Sequence, residues 1–161
     1  MLKTVVASIL SAFLIAAPAA ALDDPDQLVR ALYGLQYGVN APDVADRFLA
    51  ADAAAAYKLQ LAADEPKEAT GFDWRYDAQD VEITNLEIQR RAGMESPGSG
   101  AARAEVNVTL TNFGQRVSLV YYLCLAPGGW RIADVRRVQV EDADTWTLRE
   151  LLALPAEPVH C

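Results

Sequence analysis

Histidine is almost missing from this chain. The single one, His160, stands beside Cys161, and one imidazole supplies neither a zinc site nor a conventional catalytic triad. We read the pair as a frayed tail rather than a metal site, and expect no metal and no other cofactor. The G-x-G-x-x-G, Walker and G-x-S-x-G patterns are also absent, so nucleotide-binding and hydrolase readings lack their usual marks. Nor is there a basic patch. The formal net charge is -8, which argues against nucleic acid and anionic membrane surfaces as partners; solubility accounts for the charge itself. No repeat or long linker divides the chain, and its length suits one domain with its own core.

The leading apolar run is N-terminal. Lys3, the stretch Val5 to Ala17 and the small residues Pro18-Ala19-Ala20-Ala21 form the charged, apolar and cleavage regions of a secretory signal. We expect residues 1–21 to be removed and residues 22–161 to form the mature domain, which loses Lys3 and becomes one unit more negative. The run is short for a spanning helix and is followed by Asp23 and Asp24, so no membrane anchor is expected after cleavage. No cysteine follows the cleavage region, which leaves the lipoprotein route without support. The expected location is periplasmic or secreted. That compartment oxidises thiols, and Cys124 and Cys161 are the two cysteines. Two readings stand: a Cys124–Cys161 bridge worth about 4 kcal/mol or less, or unpaired thiols with Cys124 packed as a small hydrophobe.

Residues 101–138 predict three consecutive antiparallel strands. From Arg103 to Asn112 apolar Ala104, Val106, Val108 and Leu110 alternate with polar residues, the period of a strand with one wet face. Asn112-Phe113-Gly114-Gln115 and Pro127-Gly128-Gly129 supply turn chemistry. Between them, Val117, Leu119, Tyr121, Leu123 and Leu125 fall on one face, and Val120, Tyr122 and Cys124 on the other. A strand apolar on both faces is central and covered, or meets a partner chain. In the last strand, alternation from Trp130 places Ile132 and Asp134 on its face. A carboxyl there would have a raised pKa and acid–base use; a bulge or strand end would instead make Asp134 a solvated or capping residue.

Before the meander, Asp24-Pro25-Asp26-Gln27 reads as a helix start with Asp24 as N-cap and Pro25 at N1. Leu28, Ala31, Leu32 and Leu35 make its apolar stripe, with Tyr33 and Tyr37 on another face. Residues 43–50 and 53–63 read as helices joined at a corner, with Asp52 a candidate cap and Val44, Phe48, Ala51 and Ala55 the buried stripe. A strand over 81–90 changes phase near Asn85, which predicts a bulge and a bent sheet. Thr147 and Glu150 form a capping box ahead of Leu148, Leu151 and Leu152. The expected class is α+β, with N-terminal helices packed on one face of a strongly bent antiparallel sheet and a short C-terminal helix.

Four segments carry a family resemblance: LVRALYGL, FDWRYDAQDVEITNL, GGWRIADV and TWTLRELL. In their order and spacing they resemble the bacterial envelope family called domain of unknown function 3828, with a nuclear transport factor 2-like (cystatin-like) fold. The resemblance implies a cone with a pocket between the bent sheet and the helices. It implies no activity, because the family has none to carry over.

The candidate acids are Asp134 and Asp80, with Asp77 close to Asp80 in sequence. Enzymes of this fold do proton transfer with a carboxylate in an apolar cone, but fold alone does not confer function. Tyr33, Tyr37, Trp74, Tyr76, Tyr121 and Trp130 are the pocket-lining candidates, since pockets are apolar with a few polar groups; equally, such aromatics fill cores. The leading expectation is an exported, non-enzymatic domain that binds a protein partner or second copy through the sheet face, or a small apolar ligand. The alternative is an enzyme using a pocket carboxylate for proton transfer or hydrolysis.

Overall fold

The computed structural model describes residues 23–92, 102–138 and 144–156. The expected signal segment, His160 and Cys161 lie outside the described residues. Three helices come first, α1 (Pro25–Tyr33), α2 (Pro42–Phe48) and α3 (Ala51–Leu61). Four strands follow, β1 (Ile83–Arg90), β2 (Arg103–Asn112), β3 (Gln115–Ala126) and β4 (Gly129–Arg137), and then the single turn α4 (Leu148–Leu151). The strands form one antiparallel sheet in the order β1-β2-β3-β4. The class is therefore α+β.

Local chemistry explains most boundaries. Asp24 caps α1, its Oδ1 accepting the Asp26 backbone N–H at 2.8 Å, and Pro25 follows where a missing N–H costs nothing. Thr147 and Glu150 form both bonds of a capping box on α4. Phe113 and Gly114 take φ of 46° and 79° between paired Asn112 and Gln115, a two-residue hairpin turn in which Gly114 meets no strain. Asn85 has φ 52°, and the register of β1 on β2 slips between Thr84 and Glu87. That bulge is why Ile83 and Ile88, of opposite parity, both reach the core.

Two expectations need correction around α3. Ala50, not Asp52, occupies the N-cap position. The buried residues of α3 are Ala53, Ala54 and Tyr57, while Ala51 and Ala55 are exposed. A run of alanines carries no stripe for periodicity to find, so the large Tyr57 sets the face. Leu125, paired with Trp130, keeps the parity of the buried face of β3 but is exposed near the strand end.

The inner face of the sheet is the one whose side chains join the main apolar cluster. Val106, Val108, Leu110, Leu119, Tyr121, Leu123, Ile132 and Val135 meet Leu28 and Leu32 of α1, Phe48 of α2, Tyr57 of α3 and Leu148 of α4 in that cluster. The free edge of β4 is covered at two points. The Ala50 N–H donates to the Ile132 carbonyl at 2.8 Å, and Arg137 N–H to the Trp146 carbonyl at 3.0 Å, which blocks edge pairing there. Among the described residues no helix is long and apolar enough to cross a membrane.

Because Trp74 is fully buried in the main cluster, Trp74→Ala is expected to cost about 3–5 kcal/mol. Tyr37→Ala, at a side chain 43% exposed, is expected to cost under about 1 kcal/mol. Urea unfolding of both variants measures the contrast.

Candidate functional site

The space between helices and sheet is occupied by side chains. Tyr57, Trp74 and Tyr121 are fully buried there, and Tyr33 and Trp130 nearly so. The Tyr33 hydroxyl donates to the Arg75 carbonyl at 2.6 Å. It has one proton, so at 3.0 Å it accepts from the Tyr121 hydroxyl. Burial raises the pKa of Tyr33 and of Tyr121, and for Tyr33 its tyrosine neighbour adds to the rise. The pair therefore serves as a neutral hydrogen-bonded brace.

Residues 72–78 latch this interior. Arg75 is buried and bidentate on Asp73, with Nη2 to Oδ2 at 2.6 Å. Its Nη1 and Nη2 also donate to the carbonyls of Leu32 and Tyr37, both at 3.0 Å, and so hold the end of α1. Asp77 sits in a tight turn at φ 55°. It accepts from Trp146 Nε1 at 2.8 Å and pairs with Arg137 Nε at 2.7 Å. Asp80 is exposed, and its carbonyl accepts from Asn112 Nδ2 at 3.1 Å. Tyr37 and Tyr76, with Leu35, Gln36, Phe72 and Val81, line an open groove of about 600 Å³ beside the α1–α2 connection. The six aromatic candidates thus divide. Tyr37 and Tyr76 face a groove, and the other four lie in the core.

Asp134 is not on the face of Trp130 and Ile132. Pairing of β3 with β4 shifts between Tyr122 and Leu123, so Leu123 faces Ile132 while Tyr122 faces Asp134. Ala133 is the extra residue. The bulge reverses parity, sending Val135 inward and Asp134 to the outer face. There Asp134 is buried, and its Oδ1 accepts the backbone N–H of Val135 at 2.9 Å and of Arg149 at 3.0 Å. It caps, from outside the segment, the first turn of α4. Arg149, fully buried, donates Nε to the Pro155 carbonyl (2.6 Å), Nη1 to the Ala133 carbonyl (3.3 Å) and Nη2 to Asp52 Oδ2 (2.8 Å). Burial raises the Asp134 pKa, and the two amides and nearby arginines oppose the rise.

The register lays out the outer face in rows. Arg103, Cys124 and Arg131 form one, then Glu105, Tyr122 and Asp134, then Asn107, Val120 and Arg136. Arg103 and Cys124 of the first row, the whole second row and Arg136 line a cavity of about 270 Å³. In it Glu105 accepts from Arg91 at 3.2 Å, and the Arg136 guanidinium lies 5.3 Å from the centre of the Tyr122 ring. Beyond it a groove of about 370 Å³ runs past Asn107, Arg116, Ser118, Val120 and Val138. Cys124 is disulfide-bonded; its expected partner Cys161 lies outside the described residues. Among the described residues no group of three or more metal-binding side chains is placed to hold a metal ion.

Arg75, Arg149 and Glu105 are the residues that sequence reading missed. Arg149 had a signal, since it stands three residues before Leu152 and shares its helix side. Glu105 had none, because its burial depends on what lies over the outer face. Comparison with protein families, curated proteins and solved structures finds no match to this chain.

Asp134 holds its proton more tightly folded than unfolded, so the stability it contributes is full at acid pH and is lost as pH rises through its raised pKa. Asp134→Asn keeps an acceptor and removes the titration, so it is expected to gain on the wild type as pH rises above about 4. Asp134→Ala leaves two amides without their acceptor and is expected to cost about 1–3 kcal/mol. Denaturation against pH separates the two.

Proposed function

We propose that this is an exported, periplasmic domain without catalytic activity, built as a nuclear transport factor 2-like cone, that binds a protein partner through the outer face of its sheet. The observation that carries this reading is the unequal filling of the two sides. The inner side is packed with buried aromatics, whereas half-buried Val120 and Tyr122 stand on the outer face beside a cavity and a groove. Strands apolar on both faces expect cover, and a second copy of this chain supplies it most simply, through an isologous contact. The acids support the same reading. Asp134 caps α4 and Asp77 is paired with Arg137, so neither stands ready as a general base. A second reading, a small apolar ligand in the groove of Tyr37, Phe72 and Tyr76, is favoured by those partly exposed rings.

Native mass spectrometry of protein taken from the periplasm tests both. A dimer or a co-purified protein is the expected outcome, and Val120→Glu is expected to convert it to the free monomer with an unchanged melting temperature. A monomer carrying a small molecule lost in Tyr76→Ala would select the groove instead. Turnover abolished by Asp134→Asn without loss of fold would select the enzyme.

A further inference from the structure

The groove beside the α1–α2 connection is held open by its own hydrogen bonds. Its two walls come from residues 35–40 and 70–81, and they are tied to each other. Asn40 Nδ2 donates to the Thr70 carbonyl at 2.9 Å, and Asn40 Oδ1 accepts from the hydroxyl of buried Tyr57 at 2.5 Å. Arg75 Nη2 donates to the Tyr37 carbonyl at 3.0 Å. The rings are fixed as well. The Arg75 guanidinium lies 4.8 Å from the centre of the Tyr76 ring, which also meets Tyr33 edge-on at 5.6 Å. The Tyr37 hydroxyl donates to Asp43 at 2.9 Å. Groups already held in place lower the ordering cost of binding.

The lining selects the chemistry of an occupant. It holds one carboxylate, Asp73, and one guanidinium, Arg75, and the two are paired at 2.6 Å, so a charged ligand finds no counter-charge to spare. The carbonyls of Tyr37, Thr70 and Gly71 already accept from Arg75, Asn40 and Gln79, which leaves a peptide main chain little to pair with. The open hydrogen-bonding capacity lies on side chains. The Oε1 atoms of exposed Gln36 and Gln79 and the hydroxyl of half-buried Tyr76 take no hydrogen bond among the described residues, and they share the groove with the rings of Tyr37 and Phe72. An apolar molecule would use the rings and leave these polar groups unmet. A pyranose uses both, since its C–H face packs on an aromatic ring while its hydroxyls donate to amide oxygens. We propose that this groove binds a neutral oligosaccharide, stacked on its tyrosine rings and hydrogen-bonded to Gln36, Gln79 and the Tyr76 hydroxyl. Its volume of about 600 Å³ is that of a small-ligand site. The inference goes beyond the apolar-ligand reading. The groove shares no lining residue with the outer-face cavity or its neighbouring groove, so the partner reading stands or falls apart from it.

Titration of the isotope-labelled protein with chitotetraose and with maltotetraose, followed by amide NMR shifts, tests the site. Saturable shifts confined to residues 35–40 and 70–81 are expected with at least one of the two. Tyr76→Ala is expected to weaken that affinity about tenfold or more. Gln79→Ala, at an exposed side chain, and Tyr76→Phe, which keeps the ring, are each expected to weaken it about fivefold; both spare the fold should Tyr76→Ala not. Neutral, apolar N-phenyl-1-naphthylamine serves as the contrasting probe. No saturable shift with either sugar at millimolar concentration, shifts centred outside the groove, or sugar affinity unchanged in Gln79→Ala and Tyr76→Phe would overturn the proposal. A groove that answers to the naphthylamine alone would also overturn it and select the apolar ligand. Subunit count plays no part in these readouts, so failure of the partner reading leaves them untouched.

Discussion

The bulge at Ala133 governs how the C-terminal part of the chain is held. Without the bulge, Asp134 would share the face of Ile132 and point into the apolar cluster. With it, Val135 fills the core and Asp134 crosses to the outer face, where two backbone N–H groups meet one carboxylate oxygen. That contact starts α4, and α4 delivers Arg149 to Asp52, Ala133 and Pro155 at once. A buried guanidinium is tolerable only when it is paired with an opposite charge and hydrogen-bonded. One bulge therefore connects the sheet, the α2–α3 corner and the final turn.

A second buried arginine does the same work at the other end. Arg75 ties the 72–78 loop to the C-terminal end of α1 and is neutralised by Asp73. Asp77 then carries the loop to Arg137 and Trp146. The domain is closed by two desolvated guanidinium hubs rather than by its short helices, which are too brief to hold themselves. The interior between these hubs is filled by tyrosine and tryptophan, which leaves the outer face of the sheet as the side with room for another molecule.

Much of this was legible from local rules. Asp24, the Asn112–Gln115 turn, the phase change at Asn85 and the Thr147–Glu150 box all act within a few residues of themselves, so their chemistry shows in the letters. The alternation of β2 gave its buried face for the same reason. The candidate site was less legible. Whether an aromatic fills a core or lines a groove depends on residues far along the chain, and so Trp74 and Tyr121 could not be separated from Tyr37 and Tyr76. Alternation from Trp130 also misplaced Asp134 for the acid–base reading, because a one-residue bulge leaves no mark when the inserted residue is an alanine.

By itself the sequence determined the α+β class, the strand and turn positions, the absence of the usual catalytic marks and the acidic surface charge, since each follows from composition or short-range periodicity. Only the tertiary structure decided which face Asp134 occupies, which aromatics are core, and that Arg75 and Arg149 are buried hubs. Those are matters of register and long-range contact. A shift of one residue in a strand exchanges its two faces, and no local pattern carries that information.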